Sequence, residues 1–171
     1  MRAELKKQVS VLVVCTGNIC RSPTGEGVLR HLAQQRGLAD KVKVASAGTH
    51  DYHVGQCPDP RTVKHARKRG YDLSAQRAQQ LSADHFHEFD YILAMDRGHL
   101  RIARSMAPKD AKARLGMFLE ASARWRGEDV PDPYYGGVQE FERVLDMVEE
   151  AAQRWLDRFE AELDPGAFKL Q

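Results

Sequence analysis

Cys15 and Arg21 are separated by the five residues Thr16-Gly-Asn-Ile-Cys20. A thiol attacks as its thiolate, and a planar guanidinium can grip two phosphate oxygens at once. Between them, Gly17 and Asn18 tolerate positive φ, so a short loop can turn its backbone N–H groups inward. Ser22 favours an N-cap and Pro23 the first helical position, which predicts a helix starting there. Converging N–H groups at a helix N-terminus bind anions, and the same field favours a thiolate on Cys15. The chemistry this spacing suits is attack on a phosphate ester. Cys15 would be the nucleophile, and Arg21 with the N–H groups of residues 16–21 would cradle the equatorial oxygens. Ser22 can offer its hydroxyl to the Cys15 sulfur, stabilising the thiolate as it leaves in the second step.

Such a reaction needs an acid for the leaving oxygen. The candidate is Asp132, held between Pro131 and Pro133 in Val130-Pro-Asp-Pro-Tyr-Tyr-Gly-Gly137. The two prolines stiffen the backbone on either side of the carboxyl. An Asp before Pro is also a common turn or cap residue, and the residues alone leave both roles open. Tyr134 and Tyr135 follow, and Tyr52 lies in the long loop 49–58; these and Ile19 could form an apolar rim.

These side chains must be carried by strands and helices. Val9–Val14 reads as a buried parallel strand ending on Cys15. A helix follows from Pro23 to about Arg36, with Gly37 as its stop. Further strands are expected at 41–46, at 89–95 and, with a weaker pattern, at 115–119. A second helix should start at Asp59-Pro60, carrying the basic residues Lys64, Arg67, Lys68 and Arg69. This cluster reads as a solvated face or a docking patch for acidic partners. Ser82–Phe86 reads as a helical turn, and Asp96 as the cap of a helix reaching Met106. The segment 120–131 reads as polar loop. From Val138 to Leu163, nine apolar residues recur at helical spacing. Strands alternating with helices predict an α/β fold: a single domain with an open four-stranded parallel sheet, helices on both faces, and the phosphate loop at the C-terminal end of the first strand. The expected limits are a charged extension over 1–8, the domain over 9–163 and a tail over 164–171.

Composition narrows the partners. Of 171 residues, 26 are Lys or Arg and 24 Asp or Glu, a net charge of +2. That gives no field to suggest nucleic acid. No apolar run approaches the ~20 residues of a membrane span, and Met1–Lys7 has no signal core, so a cytoplasmic protein is expected. Three cysteines without a secretion signal argue against a disulfide framework.

The stretch Val14-Cys-Thr-Gly-Asn-Ile-Cys-Arg-Ser-Pro23 resembles the phosphate loop of the low-molecular-weight protein tyrosine phosphatases, and the likeness extends from about Val9 to about Leu163. The resemblance implies hydrolysis of protein phosphotyrosine through a cysteinyl phosphate, without a cofactor or metal. Tyrosine-phosphorylated proteins would be the partners, and inorganic phosphate or vanadate the inhibitors. It implies that Asp132 is the general acid, that Asn18 pins the loop, and that Ser46 bonds Asn18. It implies that Cys20 can form a protective disulfide with Cys15; Cys57 has no evident partner. Ile19 stands where phosphoarginine phosphatases on this fold carry Thr, which points to phosphotyrosine. One departure is Gln76, which occupies the place of a loop-supporting His in the family's Ser-x-His-Arg-Ala-Arg stretch.

Other readings use the same residues. A thiol-dependent arsenate reductase shares the phosphate loop but normally relays through further cysteines, and none follows Cys57. A structural zinc module could use Cys15, Cys20, His53 and Cys57, but Arg21 would then sit beside the cation. A phosphate sensor would not need Asp132.

Overall fold

The computed structural model describes residues 6–164. Most of the expected N-terminal extension and C-terminal tail lies outside the described residues. Four strands, β1 (Val9–Cys15), β2 (Val42–Gly48), β3 (Tyr91–Ala94) and β4 (Arg114–Met117), form one sheet of order β2-β1-β3-β4. Every pairing is parallel. Among the described residues five α-helices accompany them: α1 (Arg21–Gln35), α2 (Pro60–Lys68), α3 (His85–Glu88), α4 (Arg97–Met106) and α5 (Val138–Leu163).

Strand periodicity divides the core. Val9, Val11, Val13 and Cys15 face one side of β1 and pack with α1 and α5. Leu12 and Val14 face the other, against Phe86 of α3 and Ala103 of α4. Because both faces are covered, β1 is apolar from Val11 to Cys15 rather than alternating. The long α5 buries Phe141, Val144, Leu145, Val148, Trp155, Leu156 and Phe159, and the Trp155 indole donates to the Phe118 carbonyl at 2.7 Å.

From β1 the chain crosses through α1 to β2 on one side, then returns through α2 and α3 to β3 on the other. The carboxyl ends of β1 and β3 are therefore a topological switch point, where ligands bind in such sheets. Cys15 pairs with Gly48, and Val14 with both Ala47 and Ala94, so three strands finish level there.

Several boundaries differ from the sequence expectation. Strand β2 runs on to Gly48 because β1 pairs with it through Cys15. Strand β3 is shorter than 89–95, stopping at Ala94. Strand β4 starts at Arg114 and stops at Met117; Phe118–Ala121 then turns as a 3-10 helix that buries Phe118 and Leu119. Helix α1 starts at Arg21, two residues early, so Ser22 is inside the first turn and caps nothing. Only Asn18 of the loop takes positive φ, at 58°; Gly17 does not. The glycine that the loop does require is Gly48: a Cβ there would stand 2.6 Å from the Thr16 carbonyl oxygen.

Candidate active site

Cys15 lies at the end of β1, almost wholly buried, with Sγ 2.9 Å from the Ser22 hydroxyl. Freed from capping, Ser22 has a different task. Asn18 donates its two amide hydrogens to Ser22 Oγ and Ser46 Oγ, each at 2.8 Å. Its Oδ1 accepts from the Gln79 backbone N–H at 2.9 Å. A backbone N–H only donates, which fixes which end of the Asn18 amide is oxygen. Ser22 accepts from Asn18 and so has its own proton left for the Cys15 sulfur. The Asn18 backbone, in the left-handed region, is held by three bonds reaching α1, β2 and the segment before Leu81.

Arg21 is buried and committed on one edge. Its Nη1 donates to Asp96 Oδ2 at 2.9 Å and to the Val130 carbonyl at 3.1 Å. Nη2 makes longer contacts with Thr16 Oγ1 at 3.5 Å and His99 Nε2 at 3.4 Å. The fork is thus anchored through Nη1, and its remaining donors stay available for oxygens in the loop. Thr16 Oγ1 lies 2.7 Å from His99 Nε2. Burial and the Arg21 charge push His99 down to about 4, so the ring is neutral. Since Arg21 can only donate, Nε2 is the bare nitrogen and takes the Thr16 proton. His99 Nδ1 sits 3.1 Å from Asp96 Oδ1, within ion-pair range but off line for a hydrogen bond. Burial opposes the charge on Asp96, but the His99 backbone N–H, the His99 ring and Arg21 outweigh it and hold the carboxyl below its usual range. Asp96 does cap α4, by accepting from His99 N at 2.9 Å. Its second task, carrying Arg21, gave no sequence signal, nor did the role of His99 one turn further on.

Asp132 is half exposed, with Oδ2 3.7 Å from Arg21 Nη2. Its Oδ1 accepts from Tyr134 N at 3.0 Å, so it also closes the turn that the sequence allowed. Asp129, the nearest other carboxylate in the loop, accepts from Arg97 N at 3.1 Å and so braces α4. A cleft of about 280 Å³ brings together Cys15, Arg21 and Asp132 with the rim residues Ile19, Tyr52, Tyr134 and Tyr135. His53, weighed in the sequence only as a zinc ligand, also lines it. Tyr134 and Tyr135 meet edge to face at 4.9 Å, and Tyr52 stacks on His50 at 5.0 Å. Arg61 of α2 ties down the loop that carries Asp132 by donating to the Tyr134 carbonyl at 2.8 Å. Its guanidinium lies over the rings of Tyr134 and Phe141. The Asp59 N–H donates to the Ile19 carbonyl at 2.8 Å, so α2 braces the phosphate loop as well.

Gln76 stands where the resemblance places a loop-supporting His. Its amide donates to the Pro23 carbonyl at 3.0 Å, and Gln79 supplies the contact to Asn18. Arg69 is not part of a free basic face, since it pairs with Glu142, Asp146 and Glu149 of α5. Cys15, Cys20 and Cys57 are all free thiols, with Cys57 exposed. Burial pushes the Cys20 thiol up to about 12, so it is no rival nucleophile. Among the described residues, no three His, Cys, Asp or Glu side chains are grouped as metal ligands would be. No described helix is long and apolar enough to cross a membrane.

A thiol at a strand end, a buried guanidinium and a carboxylate, gathered at the switch point of a parallel sheet, define a cleft suited to an oxyanion and a nucleophile. The chain belongs to the low molecular weight phosphotyrosine protein phosphatase family, whose model matches residues 10–165. It is 43% identical over 145 residues to the low molecular weight protein-tyrosine-phosphatase of Streptomyces coelicolor, covering 83% of this chain and 88% of that one. Among solved structures it resembles a protein tyrosine phosphatase from Entamoeba histolytica, with a TM-score of 0.85 and 35% identity over 90% of this chain and 97% of that one. It also resembles a Drosophila arginine phosphatase, with a TM-score of 0.80 and 31% identity over 88% and 97% of the two chains. Like its relatives, the chain is a phosphatase, a hydrolase of this family.

Proposed function

We propose that this enzyme hydrolyses phosphotyrosine in proteins, in the cytoplasm, through a phosphate ester on Cys15. The observation that carries the reading is the single cleft lined by Cys15, Arg21 and Asp132 together with Tyr52, Tyr134 and Tyr135. In the first step Cys15 attacks phosphorus while the loop N–H groups and Arg21 gather charge on the equatorial oxygens. Asp132 gives a proton to the tyrosyl oxygen as the P–O bond breaks. In the second step Asp132 takes a proton from water, which attacks phosphorus, and the Cys15 thiolate leaves with the Ser22 hydroxyl donating to it. Inorganic phosphate and vanadate would compete for the same cradle.

The test is Cys15→Ser. Turnover of an aryl phosphate should vanish while inorganic phosphate still binds, because the cradle keeps its donors. Activity above a trace would remove Cys15 as nucleophile. The Drosophila arginine phosphatase makes phosphoarginine the second substrate to assay. Ile19 on the cleft wall favours an aromatic ring over a guanidinium, so phosphotyrosine peptides should be turned over well ahead of phosphoarginine peptides.

A further inference from the structure

The bonds around Asn18 continue away from the nucleophile and end on a carboxylate. Ser46 Oγ donates to Glu26 Oε1 at 2.6 Å, and Glu26 Oε2 pairs with Arg30 Nη2 at 2.7 Å. Glu26 is buried in α1, four positions after Ser22. Arg30 is half exposed and also donates to the Val44 carbonyl at 2.7 Å. The run is Cys15–Ser22–Asn18–Ser46–Glu26–Arg30, with a nucleophile at one end and a fixed cation at the other.

Each hydroxyl in this run has one proton and must choose a direction. An ionised carboxylate only accepts, so Ser46 points its proton at Glu26 and accepts from Asn18. Asn18 then has one amide hydrogen for each serine, and Ser22 sends its proton to Cys15. Without an acceptor beyond it, Ser46 would gain by donating inward. Asn18 would then turn its oxygen toward the serines, leaving the Gln79 N–H unpaired and offering Ser22 an acceptor other than sulfur. Two buried arrangements of the same atoms would compete.

We infer that Glu26 is a positioning residue for this reaction: acting through Ser46 and Asn18, it fixes the proton of Ser22 on the Cys15 sulfur. The inference rests on the proposed role of Cys15, but its test does not depend on that role alone. Arg30 makes the test sharp. In Glu26→Gln the amide must face Arg30 with its oxygen, because a guanidinium has only donors. Its NH₂ then faces Ser46, and the near-isosteric change reverses the end of the run. Removing the cation in Glu26→Gln/Arg30→Met lets the amide rotate and present its oxygen to Ser46 again.

Four proteins are compared: wild type, Glu26→Gln, Arg30→Met and the double variant. One readout is kcat and KM for an aryl phosphate. The other, without substrate, is the rate of alkylation of the Cys15 peptide by iodoacetamide at fixed neutral pH, followed by mass spectrometry because Cys57 is exposed. Loss of one hydrogen bond to a charged sulfur corresponds to about tenfold. Glu26→Gln should fall about tenfold in kcat and in alkylation, with KM and phosphate inhibition nearly unchanged. Arg30→Met should stay near wild type, and the double variant should recover most of the loss. Wild-type behaviour of Glu26→Gln in both readouts would overturn the inference. So would a double variant no better than the single one, since a packing role gains nothing from the second change. If Cys15→Ser proved active, the proposed function would fall while the alkylation series would still decide the role of Glu26.

Discussion

At the scale of single residues, Asp132 has the most to distinguish. One carboxylate oxygen closes a turn on Tyr134 N, and the other lies 3.7 Å from Arg21. A turn-former and a general acid would respond differently to the leaving group. Tyrosine leaves poorly without a proton, whereas a nitrophenolate is a stable anion. General acids contribute about 10²–10⁴-fold. Asp132→Ala should therefore lower phosphotyrosine turnover within that range, lower nitrophenyl phosphate turnover by less, and flatten the basic limb of the pH profile. Equal losses for both esters, with both limbs intact, would leave Asp132 only its turn. Arg21→Lys tests the fork: an ammonium cannot hold Asp96, Val130 and two phosphate oxygens together, so most activity should go. Normal kinetics in that variant would remove Arg21 from the cradle. Cys15, Arg21, Ser22 and Asn18 were legible in the sequence because loop chemistry is local. Asp96 and His99 were not, because an Asp at a helix start is already explained by capping. Its bond to Arg21 spans 75 residues.

At the scale of elements, the helix starts show what local pattern can and cannot determine. Helix α5 was readable at both ends, since its apolar stripe runs unbroken for 26 residues. Helix α1 begins at Arg21, earlier than Ser22-Pro23 suggests, and Ser22 lies inside its first turn. Ser22 then serves the sulfur rather than the helix end. Strand β4 looked longer because Phe118 and Leu119 are apolar. Their burial comes from packing under α5 in a 3-10 turn rather than from the sheet. The basic residues of α2 suggest a solvated face or a docking patch, yet its first turn braces two loops. Asp59 N–H holds Ile19, and Arg61 holds Tyr134. Arg61→Ala should thus free the loop that carries Asp132 without touching the thiol. Turnover of phosphotyrosine should fall several-fold, while alkylation of Cys15 stays at the wild-type rate. A parallel fall in alkylation would mean that α2 supports the phosphate loop through Arg61 as well.

At the scale of the whole molecule, Cys15 and Arg21 are buried at the meeting of three strand ends, and the charges around them link folding to pH. His99 is held near 4 by burial and Arg21, whereas an unfolded histidine titrates near 6.5. Between those values the unfolded chain binds a proton that the folded chain refuses, so stability falls as pH falls through the window. His85, lowered by burial, acts with the same sign. Asp96, Asp90 and Asp59 act later: each carboxyl is held below its usual range, so their contribution is present above pH ~4 and is lost on further acidification. Acid unfolding should accordingly begin with histidines and finish with carboxylates. A displacement from 6.5 to about 4 corresponds to roughly 3–4 kcal/mol at most. His99→Gln isolates this part. The variant should be less stable than wild type at pH 7, because a flexible amide replaces a buried ring that holds its acceptor nitrogen against Thr16. Its urea midpoint should then change less between pH 7 and pH 4.5 than that of wild type. Two midpoint curves running parallel across that interval would mean that His99 is not held neutral, and that the acid sensitivity of the fold lies with its carboxylates.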